Sequence, residues 1–238
     1  MSDFEVFIIS HDIDYIDALR ERNLRVGANA KYLLVGQHDG LVVPDDVIVV
    51  SQLPLNIEQH NRCMCQYTGW WALAMNDIPK AKYVVLLEYD GIIQPSFNHT
   101  MEVTVHDLPV YGFVRWSSYF DFSAPQYGGI ADFAVRENVD VSEATFPKDW
   151  IATSNVCLRT DYFMQMMKSE LFDHAYSWFY KDRMAPHVFE RFLTVYERSV
   201  NSEHGYIDFA VNHMMMDSHE TVGFGNTKES ILSKLLLV

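Results

Sequence analysis

The chain has 238 residues (27.6 kDa), 49% of them apolar and 14% aromatic, which suits one α/β domain with a substantial core. A formal net charge of −14 and an isoelectric point near 5.0 argue against electrostatic binding to nucleic acid or to an anionic membrane. Three cysteines, Cys63, Cys65 and Cys157, form no disulfide framework and supply too few ligands for a zinc site, so they read as buried free thiols. The amino terminus lacks a basic segment, its apolar run Val6 to Ile9 is short, and no apolar run approaches the roughly 20 residues of a membrane span. A cytoplasmic protein without a membrane span is expected.

Phe4 to Ser10 is an apolar run that predicts a buried strand, ending in Ser10-His11-Asp12. Asp14 to Asn23 predicts a helix, Lys31 to Gly36 a strand, and Val47 to Val50 another after the turn residues Pro44-Asp45-Asp46. Between Ile57 and Asn76 the period becomes helical: Met64, Tyr67, Trp71 and Ala74 share one face, and Glu58, Arg62 and Gln66 another. The helix leads into Lys82-Tyr83-Val84-Val85-Leu86-Leu87-Glu88-Tyr89-Asp90-Gly91-Ile92-Ile93, read as a strand buried on both faces. Tyr111 to Val114 predicts a further strand. The stretch 123–149, with Pro125, Gly128-Gly129, Asn138 and Pro147, reads as loops with at most a short hairpin. Trp150 to Leu158 reads as a strand, Asp161 towards Phe172 as a helix, and His187 onward as a helix with Phe189, Phe192, Leu193, Tyr196 and Val200 in one stripe. Tyr206 to Asn212 is a last apolar run, entering His213. The tail, Ile231 to Val238, is apolar enough to pack on the core or to lead into a further domain of a longer chain. Strands alternating with helices predict an α/β fold with a mainly parallel or mixed central sheet flanked by helices, over a single domain 1–238.

The chemistry concentrates where the central apolar run stops. Open α/β sheets bind ligands at the carboxyl ends of their strands. In a continuing strand Glu88 and Asp90 would share a face and converge on one cation. Gly91 permits a sharp turn or close approach to a ligand. Hard carboxylate oxygens suit Mg²⁺ or Mn²⁺, with phosphate oxygens completing the shell.

Glu88-Tyr89-Asp90 after a hydrophobic strand resembles the DxD motif of GT-A-fold glycosyltransferases, in an ExD form. The resemblance implies a Rossmann-related fold with a nucleotide-sugar-binding half over 1–100 and an acceptor-side half over 101–238. It implies a metal-dependent transfer from a nucleoside-diphosphate sugar, a UDP-sugar favoured, to a glycan or other hydroxyl acceptor. An acidic protein handling an anionic nucleotide needs a local cation, which Mn²⁺ or Mg²⁺ supplies. The donor contacts implied are Ser10, Asp12, Arg62, Glu88, Tyr89 and Asp90. Arg62 matches in kind a basic residue that the family often places toward the diphosphate; an i,i+4 pair with Glu58 is the other reading. The metal ligands implied are Asp90, Glu88 and His213, since several such families place a histidine after a late hydrophobic strand. His219 competes with His213, because methionines follow His213 where an aromatic and a glycine are usual.

Phe189-Glu190-Arg191-Phe192 is similar to a Phe-Glu-Arg-Leu pattern in some bacterial glycan-building glycosyltransferases. Glu190 is taken as the general base, on a helix whose packed Phe189 and Phe192 would fix its direction, ahead of Asp149 and Asp182. Trp116, Tyr119, Tyr127 and Trp150 are candidates for an acceptor cleft or for core packing. No glycine-rich phosphate loop of the P-loop or dinucleotide kind is present. A nucleotidyltransferase and a non-catalytic nucleotide-sugar-binding domain are the alternatives.

Overall fold

Side chains of the first strand divide between two buried surfaces. In β1 (Phe4–Ser10), Val6 and Ile8 join one core and Phe7 and Ile9 the other, because successive strand side chains point to opposite faces. Burial on both faces requires an uninterrupted apolar run. In β4 (Tyr83–Glu88), likewise, Tyr83, Val85 and Leu87 oppose Val84 and Leu86. A computed structural model describes residues 3–38, 40–113, 125–140, 151, 154–181, 185–213 and 227–236, with the backbone alone at 125–128, 185–188 and 213.

Among the described residues these strands belong to a seven-stranded sheet ordered β3 (Val47–Val49), β2 (Lys31–Leu34), β1, β4, β7 (Val156–Arg159), β6 (Val110–Gly112), β8 (His204–Tyr206). The first four are parallel. β7 runs antiparallel to β4, β6 antiparallel to β7, and β8 parallel to β6. The expected mixed α/β sheet is thus present. A separate two-stranded ladder joins β5 (Gly91–Ile93) to β9 (Val211–His213).

One face of the sheet carries α1 (Ile13–Arg25), α4 (Phe97–Thr104) and α9 (Lys228–Leu236), through Ile16, Leu19, Met101 and Leu235. Asp12 caps α1 by accepting the Asp14 N–H, and Arg22 and Arg25 occupy its last turn, as a helix dipole favours. The apolar tail is α9, packed on α1 and tied there by Lys228, whose Nζ lies 2.5 Å from Asp12 and 2.7 Å from Asp14.

The other face carries α3 (Gln66–Met75), α5 (Pro125–Arg136), α6 (Thr160–Met167), α7 (Glu170–Phe179) and α8 (Ala185–Ser199). Here several sequence expectations are corrected. The helix expected over Ile57 to Asn76 is broken: a single 3₁₀ turn at Glu58–His60, then α2 (Asn61–Met64), then Cys65 at φ 45°, then α3. The break redirects the chain so that Met64, Tyr67 and Trp70 pack in the core while Trp71 is only half-buried. The expected loops over 123–149 contain α5, because Ile130, Phe133 and Ala134 bury one face and Phe133 meets Phe192 of α8 at 6.5 Å. Tertiary packing there outweighs the local glycines. The helix expected from Asp161 to Phe172 is two helices, since Ser169 caps α7 by accepting the Phe172 N–H. The late apolar run is split between β8 and β9, with Phe209 at φ 65° between them. Of the three thiols, Cys157 is buried and Cys63 and Cys65 are half-buried. No described helix is long and apolar enough to cross a membrane.

Candidate active site

The register of the parallel strands aligns their carboxyl ends. Ser10 lies opposite Leu34, and Ile9 opposite Glu88, so three chain segments leave the sheet side by side. They border a cleft of about 440 Å³. Ser10 and His11 follow from β1, Val35 from β2, and Glu88 and Tyr89 from β4; Asn61, Arg62, Cys65 and Gln66 form the wall contributed by α2 and the start of α3. The sheet order reverses between β1 and β4, the position where open α/β sheets bind ligands.

At the floor of this edge β4 does not continue as a strand. It ends at Glu88, Tyr89 and Asp90 form a turn, and β5 begins at Gly91 in the second ladder. The acid pair therefore spans a turn rather than sharing one strand face. The turn is tightly packed: a Cβ on Gly91 would stand 2.6 Å from Asn155 Oδ1, and that oxygen accepts the Glu88 N–H at 2.8 Å. Only glycine leaves Asn155 room to hold the end of β4. Tyr89 stacks on Tyr15 at 5.0 Å and 11°, with His11 edge-on at 5.6 Å, a contact pair on the order of 1 kcal/mol. Burial, helped by the charges of Asp90 and Glu88, pushes the Tyr89 hydroxyl up to about 12, so it stays a proton donor.

Asp90 is only 5% exposed. Burial first, and then the negative charge of Glu190, pushes its carboxyl up to about 6, against the pull of its own backbone N–H. Glu190 also acts electrostatically on Cys65 and Tyr67, which brings α8 to the acid turn although its sequence lies a hundred residues away. Its mount is rigid, because the adjacent Phe189 packs against Tyr67 at 5.2 Å and Phe172 at 5.6 Å. Arg191 Nη1 stands 3.4 Å from Glu190.

Burial and the negative charge of Glu190 both oppose the ionised Asp90 carboxyl, and a divalent cation would offset them, so Asp90, with Glu88 two residues before it, fits a hard cation. Among the described residues no three His, Cys, Asp or Glu side chains cluster at metal-ligand spacing. Two protein carboxylates plus phosphate oxygens are a usual complement for Mg²⁺. The backbone of His213 pairs with Gly91, one residue from Asp90.

Of the residues singled out from sequence, Ser10, Arg62, Glu88 and Tyr89 border the cleft, while Asp90, next in the chain after Tyr89, is buried and does not line it. Asp12 does not line it: its carboxylate caps α1 and holds Lys228, which keeps it below the usual carboxylate range despite partial burial. Glu58 is not paired with Arg62 but turns inward to the Gly36 N–H. Trp116, Tyr119, Trp150, Asp149, Asp182 and His219, with the side chains of Tyr127 and His213, lie outside the described atoms. Sequence reasoning missed His11, Asn61, Cys65 and Asn155. Signals were present for His11, which follows Ser10 at the end of the first apolar run, and for Asn155, in a polar Ser154-Asn155 pair directly before an apolar strand.

No family profile matches this chain, and no curated protein matches it by sequence. By structure it is similar to the bifunctional glycosyltransferase WbbM in its apo form, with a TM-score of 0.61 and 13% identity. That likeness covers 87% of this chain and 45% of WbbM, so the chain spans under half of that protein's length. It is also similar to the galactosyltransferase LgtC, solved with donor and acceptor sugar analogues, at a TM-score of 0.48 and 10% identity, covering 98% of this chain and 97% of that one. The fold is of the GT-A kind.

Proposed function

We propose that this chain is a metal-dependent glycosyltransferase, moving a sugar from a nucleoside-diphosphate sugar, a UDP-sugar favoured, to a hydroxyl of a glycan or similar acceptor. The observation that carries this is the junction of β4 with the Glu88-Tyr89-Asp90 turn, beside the cleft at the carboxyl edge of a glycosyltransferase fold. In this reading residues 1–100 form the donor-binding half and 101–238 the acceptor half.

Ser10 and His11 face the nucleoside, and the exposed Arg62 meets the diphosphate from the rim. Asp90 and Glu88, with His213 as third ligand, would hold Mn²⁺ or Mg²⁺, which would supply positive charge against the leaving diphosphate. Tyr89, kept neutral, donates a hydrogen bond toward the donor. Glu190 takes the proton of the acceptor hydroxyl as the sugar–oxygen bond forms, from a helix that holds it in one direction.

Calorimetry with UDP- and GDP-sugars, with and without Mn²⁺, tests the reading. Binding that requires the metal is expected; no metal-dependent binding across the set overturns it. Comparing His213→Ala with His219→Ala identifies which histidine the metal needs.

A further inference from the structure

Two neighbouring residues ahead of β7, Ser154 and Asn155, are both buried and fasten two walls of the cleft. Asn155 holds the end of β4 through the Glu88 N–H. Ser154 holds the first turn of α3. Its Oγ accepts the Gln66 side-chain N–H at 2.7 Å, and the Tyr67 hydroxyl stands 3.3 Å from the same oxygen. Tyr67 is itself fixed in the core, against Trp70 at 4.9 Å and Phe189 at 5.2 Å. Gln66 and Glu88 both border the cleft, so one dipeptide sets where a wall amide stands relative to the acid turn.

The hold has a chemical consequence. Gln66 is half-buried at the start of α3, and a glutamine amide can turn about its last torsion, exchanging oxygen for nitrogen. The bond from Nε2 to Ser154 selects one of those orientations. Among the described residues Ser154 is the amide's hydrogen-bond partner, which leaves its second N–H and its carbonyl oxygen for a ligand.

A donor beside an acceptor matches two adjacent hydroxyls on a sugar ring: one accepts the N–H and the other donates to Oε1. A phosphate only accepts, so it would set its charge against that carbonyl oxygen; the guanidinium of Arg62, on the same wall, suits it better. With Arg62 at the diphosphate, the groups that flank it in a nucleotide sugar are the ribose and the transferred sugar. The base lies one ring further away.

We propose that Gln66 determines specificity for adjacent ring hydroxyls of the ligand, with Ser154 as the positioning residue that keeps its amide turned for that contact. The ligand part rests on the donor-binding reading above; the hold by Ser154 does not.

The first test needs no ligand. In the metal-free protein, ¹⁵N-labelled at glutamine, exchange of the Gln66 side-chain protons with water is followed by NMR, the signals being assigned by their loss in Gln66→Ala. Exchange several-fold slower in the parent than in Ser154→Ala is expected. Equal exchange in the two proteins overturns the hold, and the proposal with it.

The second test is calorimetry with Mn²⁺ and UDP, 2′-deoxy-UDP, UDP-glucose and UDP-galactose. If the hydroxyls are those of the ribose, the parent binds UDP about tenfold tighter than 2′-deoxy-UDP, the scale of one hydrogen bond. Gln66→Ala and Ser154→Ala should then bring that ratio close to one. If they are those of the transferred sugar, UDP and 2′-deoxy-UDP bind alike, and the advantage of a UDP-hexose over UDP disappears in both variants. In either case the double variant should lose no more than one single variant, because the two side chains act as a unit. No preference in the parent, or a loss equal for all probes as a merely packed wall would give, overturns the specificity role. If no probe binds the parent at all, the donor-binding reading fails and the ligand part with it, while slowed Gln66 exchange still establishes the hold.

Discussion

The parallel strands have two edges, and a cavity stands at each. At the amino edge the cavity is the larger, about 540 Å³, between Phe4, Gly27, Asn29, Phe97 and Met101, against about 440 Å³ at the carboxyl edge. Size does not separate a site from a gap; chemistry does. The acids at the amino edge, Asp3 and Glu102, are exposed to solvent, where a carboxylate is fully hydrated and has no reason to seek a cation. At the carboxyl edge Asp90 is buried and acted on by the charge of Glu190, and both raise its proton affinity. The asymmetry follows from chain direction. Parallel strands all end at one edge, so their outgoing turns collect there and polar residues converge without local neighbours in sequence.

Four substitutions sharpen or break that contrast, and the largest effect is expected at Glu190. Glu190→Gln should leave donor affinity intact while turnover falls about 10²- to 10⁴-fold, the range for a lost general base. Turnover near the parent value moves that role to another carboxylate or to a retaining mechanism.

Asp90→Asn comes next, with two opposite readouts. Metal-dependent nucleotide affinity should fall about a hundredfold or more, as for loss of a charged ligand. Metal-free stability at pH 7 to 8 should rise. The folded protein holds the Asp90 proton more tightly than the unfolded chain, so stability falls as pH climbs from about 4 to about 6 and the cost is complete above that. A shift of about two units corresponds to roughly 2–3 kcal/mol, and the asparagine removes it, moving Tm up on the order of 5 °C. Thermal melts at pH 5 and pH 8 should show the gain mainly at pH 8; a lower melting point there contradicts the crowded-carboxyl account.

A smaller effect is expected from Gly91→Ala. Its methyl group meets Asn155 Oδ1 at 2.6 Å and Glu88 O at 3.2 Å, so Asn155 must release the Glu88 N–H. A loss of roughly 1–3 kcal/mol in stability is expected, with about tenfold weaker metal-dependent binding. Unchanged denaturation midpoint and affinity argue that the turn has slack. The smallest effect belongs to the amino edge: Glu102→Gln should change nucleotide affinity by less than about twofold, as surface substitutions do. A tenfold loss there makes the larger cavity part of the binding machinery.

The parallel half was largely legible in the sequence, because Phe4 to Ser10 and Tyr83 to Glu88 are buried on both faces and so spell out as unbroken apolar runs. The other half was not. β7 enters between β4 and β6 and runs antiparallel to both, pairings between segments some 70 and some 46 residues apart that no local pattern encodes. α5 was hidden by Pro125 and Gly128-Gly129, local signals of a loop that contact with α8 overrides. Glu58 was assigned with Arg62 to one helix face, and the positive φ of Cys65, unforeseeable for a non-glycine residue, is where the expected helix breaks.

Composition and pattern by themselves determined an α/β sheet, an abrupt pair of carboxylates at the end of its central strand, and a glycine behind them. Those features depend on residue type and on spacings of a few residues, which a sequence states directly. Tertiary structure alone decided that Asp90 is buried in a turn rather than ranged beside Glu88 on a strand, that Glu190 of α8 acts on it, and that Glu58 turns inward to the Gly36 N–H. Proton affinity and charge coupling depend on what surrounds a carboxyl within a few ångströms, and those surroundings are assembled from distant parts of the chain only when the strands and helices pack.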